Sequence, residues 1–82
     1  MPPIRIYTLS TCSHCKHTKQ FLNELGVHYN YIDVDLLQGE ERSSIIEEMR
    51  SFNPNLSFPT IIIGNQIIIG FKENEIRGAL GL

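Results

Sequence analysis

The sequence of 82 residues predicts an α/β domain with the element order β-α-β-α-β-β-α, in which helices cover both faces of a four-stranded mixed sheet. Three observations lead to this prediction. The hydrophobic pattern changes from strand-like to helix-like after residue 9, a strand–helix–strand unit opens the chain, and two isoleucine-rich segments flank a Gly-Asn pair near its end. The opening unit is expected to be parallel and right-handed, and a hairpin then extends the sheet in the antiparallel sense.

The first half of the chain contains two predicted strands and one predicted helix. Residues 4–9, "IRIYTL", are rich in β-branched and aromatic side chains, as strands are. Residues 13–25 have apolar side chains at helical spacing, and Ser10 or Thr11 is the expected N-cap. Residues 27–34, "VHYNYIDV", are predicted as the second strand. This order places the start of the first helix just beyond the carboxyl end of the first strand.

The second half is predicted as a helix, a hairpin and a closing helix. Residues 39–52, "GEERSSIIEEMRSF", have one apolar stripe, and the Asn-Pro-Asn that follows ends the helix. The hairpin "TIII-GN-QIII" covers residues 60–69, and its isoleucine runs predict strands that are buried on both faces. Residues 73–82 are predicted to form the last helix, so residues 1–82 are expected to be a single domain.

Composition excludes several classes of function. The chain is 41% hydrophobic and 20% charged, with a net charge of −2, and it lacks the basic stripe expected of a nucleic-acid-binding protein. No apolar run approaches the roughly 20 residues that a membrane span requires. The N-terminal stretch does not have the pattern of a signal peptide. We therefore expect a cytoplasmic protein that binds neither nucleic acid nor membranes, and we expect a monomer.

The segment "LSTCSHCKHTK" contains both cysteines of the chain, Cys12 and Cys15. A helix N-terminus stabilises an anion through its partial positive charge and its free N–H groups, and a thiolate is the nucleophilic form of cysteine. Cys12 lies nearer the helix start and benefits most, whereas Cys15 lies one turn further and keeps its proton longer. This asymmetry predicts that Cys12 attacks a disulfide and that Cys15 resolves the mixed disulfide. Four side chains add positive or potentially positive charge within two turns: His14, Lys16, His17 and Lys19.

Two features near the cysteines have more than one interpretation. His14 either stabilises the Cys12 thiolate, which makes the pair more oxidising, or is an exposed residue without strong coupling. Asp33 and Asp35 are candidate proton acceptors for Cys15, but acids at the end of a strand more often begin a loop, and the predicted site leaves them out. A purely structural disulfide is disfavoured, because so short a loop constrains the unfolded chain least and the cytosol is reducing.

A metal site is the main alternative to redox chemistry. Zinc normally takes four ligands, and Cys12, Cys15 and a histidine supply three. His28 is isolated on the predicted second strand, so a complete site needs a second chain. The alternative function is therefore a metal or iron–sulfur cluster carrier that uses Cys12 across a dimer. A third possibility is an interaction module without catalysis, although such a scaffold has no need of both cysteines.

Three segments, "IYTLSTCSHC", "FPT" and "IIGF", resemble the glutaredoxin family of the thioredoxin superfamily, and the resemblance covers essentially the whole chain. It implies the thioredoxin-like (glutaredoxin) fold and dithiol–disulfide oxidoreductase activity. By this resemblance Cys12 is the nucleophile, Cys15 is the resolving cysteine and Pro59 is a cis-proline beside the active site. Phe58, which precedes it, presents its backbone to the substrate. The full set of substrate-binding residues expected from the resemblance is Thr11, Ser13, His14, Phe58, Pro59, Gly70 and Phe71.

The chain departs from the glutathione-using members of that family at several positions. Leu9 stands where those members generally have a lysine, Phe71 replaces the second glycine of a Gly-Gly pair, and Asn74 replaces an aspartate for which Glu73 can partly substitute. The Gly-Phe-Lys segment is closer to the glutaredoxin-like redoxins that serve ribonucleotide reductase and are recharged by thioredoxin reductase. The implied partners are disulfide-containing protein substrates, with either glutathione or thioredoxin reductase as the electron source. No bound cofactor is implied.

Overall fold

The structure is a computed structural model that describes residues 2–82. It contains four strands, three α-helices and one short 3₁₀ turn in the predicted order β-α-β-α-β-β-α. The elements are β1 (Ile4–Thr8), α1 (Ser13–Leu25), β2 (Asn30–Asp33), the 3₁₀ turn (Val34–Leu36), α2 (Gly39–Phe52), β3 (Thr60–Ile63), β4 (Gln66–Ile69) and α3 (Glu73–Leu80).

The four strands form one mixed sheet with the order β2-β1-β3-β4, as predicted. β1 is parallel to β2 and antiparallel to β3, and β3 is antiparallel to β4. The register pairs Thr8 with Asp33, Tyr7 with Thr60, and Thr60 with Ile69. The carboxyl ends of β1, β2 and β4 therefore meet the start of β3 at one edge of the sheet, and this edge is where the predicted site falls.

Helices cover both faces of the sheet. Alternate strand residues point to opposite sides, and apolar strand residues on each side pack against helices. On one face, α1 and α3 pack against the sheet around Ile6, Leu22 and Ile76. On the other face, α2 packs around Tyr7 and Met49. Each helix thus buries its apolar stripe against β-branched strand residues, and the two clusters hold the sheet between them.

The expectation that both hairpin strands are buried on both faces is right for β3 and wrong for β4. The side chains of Ile67 and Ile69 are 45% and 40% exposed, whereas Ile68 between them is buried in the core. β4 lies at the edge of the sheet, and the cluster beneath α2 contains residues of β1 and β3 but none of β4. A run of isoleucines indicates a high β propensity, but it does not show whether the strand lies at the edge or in the centre of the sheet.

Three boundaries differ from the sequence prediction. β1 ends at Thr8, and β2 is limited to Asn30–Asp33 because Val34 turns its buried side chain into the core at the start of the 3₁₀ turn. His28 accordingly precedes β2 and is exposed. α3 ends at Leu80, where Gly81 adopts a left-handed conformation with φ of 75° and ends the helix.

The hairpin turn has the predicted length of two residues. Gly64 occupies its first central position with φ of 57°, whereas Asn65 does not have a positive φ. This pattern of φ signs fits a type II′ turn, in which glycine is favoured at the first central position. No α-helix formed by residues 2–82 combines the length and the hydropathy needed to cross a membrane.

Candidate active site

Cys12 is the N-cap of α1, with φ of −83° and ψ of 120°. Its Sγ accepts a hydrogen bond of 3.3 Å from the backbone N–H of Cys15, and its own N–H donates to the carbonyl of Leu9 at 3.2 Å. The expectation that Ser10 or Thr11 caps the helix is therefore wrong. The cysteine sulfur takes the place of the usual capping oxygen, so the helix N-terminus is directed at the sulfur itself.

The two thiols differ in their exposure. Cys15 is fully buried and Cys12 is half-buried, and both are free thiols. Burial, followed by the hydrogen bond with Cys12, holds the pKa of the Cys15 thiol well above its usual range. The more accessible sulfur therefore accepts a hydrogen bond from the helix N-terminus, while the buried one retains its proton. This is the asymmetry that a nucleophile and a resolving cysteine require.

The segment around Pro59 lies beside the cysteine loop. The Phe58–Pro59 peptide bond is cis, as the resemblance implies. Because Thr60 pairs with Tyr7, Pro59 lies next to the carboxyl end of β1. The N–H of Gly70 donates to the carbonyl of Pro59 at 2.8 Å, and Gly70 has a φ of 88°, a conformation that favours glycine. The predicted residues Phe58, Pro59 and Gly70 are thus brought to one edge of the sheet.

A buried asparagine that the sequence interpretation missed holds this segment in place. The side chain of Asn53 is 1% exposed, and its Nδ2 donates to Ser57 Oγ at 2.9 Å and to Thr60 Oγ1 at 3.0 Å. Its Oδ1 accepts from the N–H of Asn55 at 3.2 Å. In the sequence, Asn53 next to proline indicated only the end of a helix. No local pattern signals that its amide reaches forward to the first residue of β3.

The other predicted binding residues divide into two groups. Thr11, Ser13 and His14 flank Cys12 in the chain and are exposed, and their contact with a substrate stays a prediction. The ring of Phe71 instead packs onto the core, with its centroid 5.7 Å from that of Phe21 and 6.3 Å from that of His17. The structure therefore gives Phe71 a packing role against α1 and the core in addition to its place beside Gly70.

The two aspartates that the predicted site left out contact the segment that leads to Cys12. Asp35 accepts from the N–H of Ser10 at 2.8 Å and from the Ser10 hydroxyl, and these bonds lower the pKa of the Asp35 carboxyl. Asp33 accepts from the hydroxyl of Thr8 and from Nζ of Lys19, the latter at 3.2 Å. The available signal was that Asp33 ends β2 and Asp35 follows it, because parallel neighbouring strands bring their carboxyl ends to the same edge.

The described residues do not provide a set of ligands for the alternative hypothesis, a metal or iron–sulfur cluster carrier. Within residues 2–82, no group of three or more His, Cys, Asp and Glu side chains is arranged to hold a metal ion. His28 lies outside the site, as its isolation in the sequence suggested.

Together, these features define a class of protein. The strand order, a Cys-x-x-Cys at the N-terminus of α1 and an adjoining cis-proline are those of thiol redox proteins with the thioredoxin fold. A family comparison is more specific: the Glutaredoxin family model matches residues 4–68. The chain belongs to the glutaredoxin family.

Individual relatives agree with this assignment. Methanoredoxin from Methanosarcina acetivorans is 50% identical, with a TM-score of 0.93 over 99% of this chain and 86% of its own. A glutaredoxin-like 8.6 kDa protein of the rubredoxin operon of Clostridium pasteurianum is 36% identical over 89% of this chain and 91% of its own. NrdH-redoxin from Escherichia coli, a glutaredoxin-like protein with a thioredoxin-like activity profile, is 26% identical, with a TM-score of 0.77 over 93% of this chain and 92% of its own.

Proposed function

We propose that this protein is a dithiol–disulfide oxidoreductase that reduces disulfide bonds in protein substrates. The observation that carries the proposal is the pairing of a half-buried Cys12 at the helix N-cap with a fully buried Cys15, whose N–H donates to the Cys12 sulfur at 3.3 Å. The more accessible sulfur is positioned to attack, and the buried sulfur lies within one helical turn to complete the reaction.

The reaction proceeds in two exchanges. The Cys12 thiolate attacks one sulfur of the substrate disulfide, so that a mixed disulfide forms and the other substrate sulfur leaves as a thiolate that takes a proton from water. Cys15 then loses its proton and attacks the Cys12 sulfur, which releases the second substrate thiol. The substrate has gained two electrons and the protein holds a Cys12–Cys15 disulfide. The backbone of Phe58, beside Pro59, pairs with the substrate chain during both steps.

Substitution of each cysteine separates the two steps. Cys12→Ser is expected to abolish reduction of a protein disulfide, because the attacking sulfur is absent. Cys15→Ser is expected to stop after the first exchange and to accumulate a covalent adduct with the substrate, which non-reducing electrophoresis and mass spectrometry detect. The two variants make the same chemical change on the same helix turn, so each controls for the other. Disulfide reduction by Cys12→Ser would contradict the mechanism.

We further propose that the oxidised protein is recharged by thioredoxin reductase in preference to glutathione, and that it works as a monomer in the cytoplasm. Leu9 and Phe71 support this. By the resemblance, glutathione-using members have a lysine that engages glutathione where this chain has Leu9, and the second glycine of a Gly-Gly pair where it has Phe71. The description of NrdH-redoxin as thioredoxin-like in activity supports it as well. A monomer is expected to elute at its own mass in size-exclusion chromatography with light scattering. Competition between the two electron donors is the corresponding test of donor preference.

A further inference from the structure

Lys19 lies one helical turn after Cys15 on α1, on the same side of the helix. Residues four positions apart are neighbours on a helix surface, and helical side chains lean toward the N-terminus. The stem of Lys19 therefore runs over the turn that contains the buried Cys15. Unlike Lys16, which is exposed, Lys19 is largely covered, with 22% of its side chain exposed.

The ammonium group of Lys19 is held by contacts with β2. Its Nζ lies 3.2 Å from Oδ1 of Asp33 and 3.9 Å from the centroid of the Tyr31 ring, an ion pair and a cation–π contact. The side chain of Asp33 is 17% exposed and also accepts from the hydroxyl of the fully buried Thr8. These contacts hold the ammonium group of Lys19 in one place, whereas the ammonium group of an exposed lysine would extend into solvent.

We propose that Lys19 is a positioning residue for the resolving step, whose fixed charge stabilises the thiolate of Cys15 as it forms inside the protein. This inference rests on the proposed function and assigns a role that the cysteine motif itself does not contain. Asp33 and Tyr31 serve the same step indirectly, because they keep the ammonium of Lys19 near the helix turn of Cys15.

The charges around Cys15 agree with this role. Its thiol has a raised pKa, chiefly because of burial and then because of the hydrogen bond with Cys12, and the charge of Lys19 acts in the opposite direction. Among titratable side chains, Cys12 raises the pKa of this thiol and Lys19 lowers it, and the carboxylate of Asp33 lies beside the Lys19 ammonium at 3.2 Å. Once Cys12 is bound to substrate as a disulfide it no longer carries charge, whereas Lys19 keeps its charge throughout the resolving step.

The step balances without any further reactant. The Cys15 thiol gives its proton to water, and the thiolate attacks Sγ of Cys12 in the mixed disulfide. The Cys12–Cys15 bond forms, the bond between Cys12 and the substrate breaks, and the substrate sulfur departs with the electron pair and takes a proton from water. Lys19 neither gives nor takes a proton, and only its charge is used.

The test measures the resolving step near neutral pH, where lysine side chains are charged. Reaction of the reduced protein with 5,5′-dithiobis(2-nitrobenzoate) releases one chromophore as Cys12 attacks and a second as Cys15 resolves the adduct, and stopped-flow absorbance separates the two phases. We expect the second phase to be about tenfold slower in Lys19→Met, which corresponds to about a tenfold loss of Cys15 thiolate at a given pH. Lys19→Arg, which keeps the charge, is expected to restore most of the rate. Lys16→Met is the matched control and should leave the second phase unchanged.

A second variant separates the charge of Lys19 from that of its partner. Lys19→Met leaves Asp33 without its ion-pair partner, and a nearby carboxylate also disfavours a thiolate. Lys19→Met combined with Asp33→Asn removes both charges, and the second phase is expected to stay slower than that of the parent. A return to the parent rate, or equal losses in Lys19→Met and Lys16→Met, would overturn the proposal. Failure of the proposed function would appear separately, as absent reduction of a protein disulfide by the parent protein.

Discussion

The hydroxyl of Tyr7 shows how a single polar group joins the sheet to α2. The Tyr7 side chain is buried, and its hydroxyl donates to Oε1 of Glu48 at 2.6 Å, while the guanidinium of Arg5 contacts the same oxygen. Burial, together with the bond to Glu48, raises the pKa of Tyr7 to about 12. The bond from Tyr7, followed by the contact with Arg5, lowers the pKa of Glu48. The carboxylate of Glu48 thus accepts hydrogen bonds from the buried hydroxyl of Tyr7 and from the partly exposed guanidinium of Arg5.

We expect Tyr7→Phe to lower the free energy of unfolding by about 1–2 kcal/mol at neutral pH, the usual effect of losing a hydrogen bond to a charged group. Because the pKa of Glu48 is lower in the folded state, its stabilising contribution is complete above its unfolded pKa of about 4.3 and is lost as the pH falls through the folded value. The penalty of Tyr7→Phe should therefore shrink in acid. Urea denaturation at neutral pH and at several acidic values measures it.

Tyr31→Phe is the control for that measurement. The Tyr31 side chain is 52% exposed, and the substitution keeps the ring that contacts Lys19. It is expected to change the free energy of unfolding by less than about 0.5 kcal/mol, as most exposed substitutions do. Equal effects of the two substitutions at neutral pH, or a Tyr7→Phe penalty that grows in acid, would disprove the assigned role of the Tyr7–Glu48 bond.

At the scale of elements, the connection between α2 and β3 depends on Asn53. Its amide bonds to Ser57, Thr60 and the N–H of Asn55, and it thereby fixes the loop that ends at Phe58. Asn53→Ala is expected to lower the free energy of unfolding by about 2 kcal/mol, because it leaves buried partners unsatisfied. It should also raise the KM for a protein disulfide more than it lowers kcat, since the backbone of Phe58 is proposed to pair with the substrate.

Asn55→Ala is the matched control in the same loop. The side chain of Asn55 is exposed, and the bond that Asn53 accepts comes from its backbone, which the substitution retains. Its stability and kinetic constants should remain close to those of the parent protein. If Asn53→Ala lost stability without a change in KM, the asparagine would support the fold without positioning the substrate strand.

The elements also show which features can be predicted from local sequence. The ranges of α1 and α2 and of both hairpin strands coincide with those predicted, because periodicity, a Gly-Asn turn and helix stop signals are local. The exposure of Ile67 and Ile69 was not predictable, since it depends on which strand lies at the edge. The cysteine pair was evident from its spacing. The contacts of Asn53 and Asp33 were not, because they join residues brought together only by the fold.

At the scale of the whole molecule, the sheet brings separate parts of the chain to one edge. The cysteine loop follows β1, Asp33 ends β2, Pro59 precedes β3 and Gly70 follows β4. Seven of the nine acidic residues lie between residues 24 and 48, whereas Lys16 and both α1 histidines flank the cysteines. Asp33 and Asp35 also reach this edge, where Asp33 pairs with Lys19 and Asp35 accepts from the N–H of Ser10. The cysteine end therefore carries charges of both signs, and we expect a partner protein to approach that end.

We propose that residues at this end of the molecule determine the choice of electron donor. We expect the oxidised protein to be reduced faster by thioredoxin reductase than by glutathione with glutathione reductase, with NADPH consumption as the common measurement. Leu9→Lys should raise the glutathione rate by about fivefold, because a charge pair at about 4 Å in water contributes about 1 kcal/mol. Leu9→Met is the apolar control and should not change it. Faster reduction of the parent protein by glutathione would show that Leu9 and Phe71 are compatible with glutathione binding, and the donor proposal would be wrong.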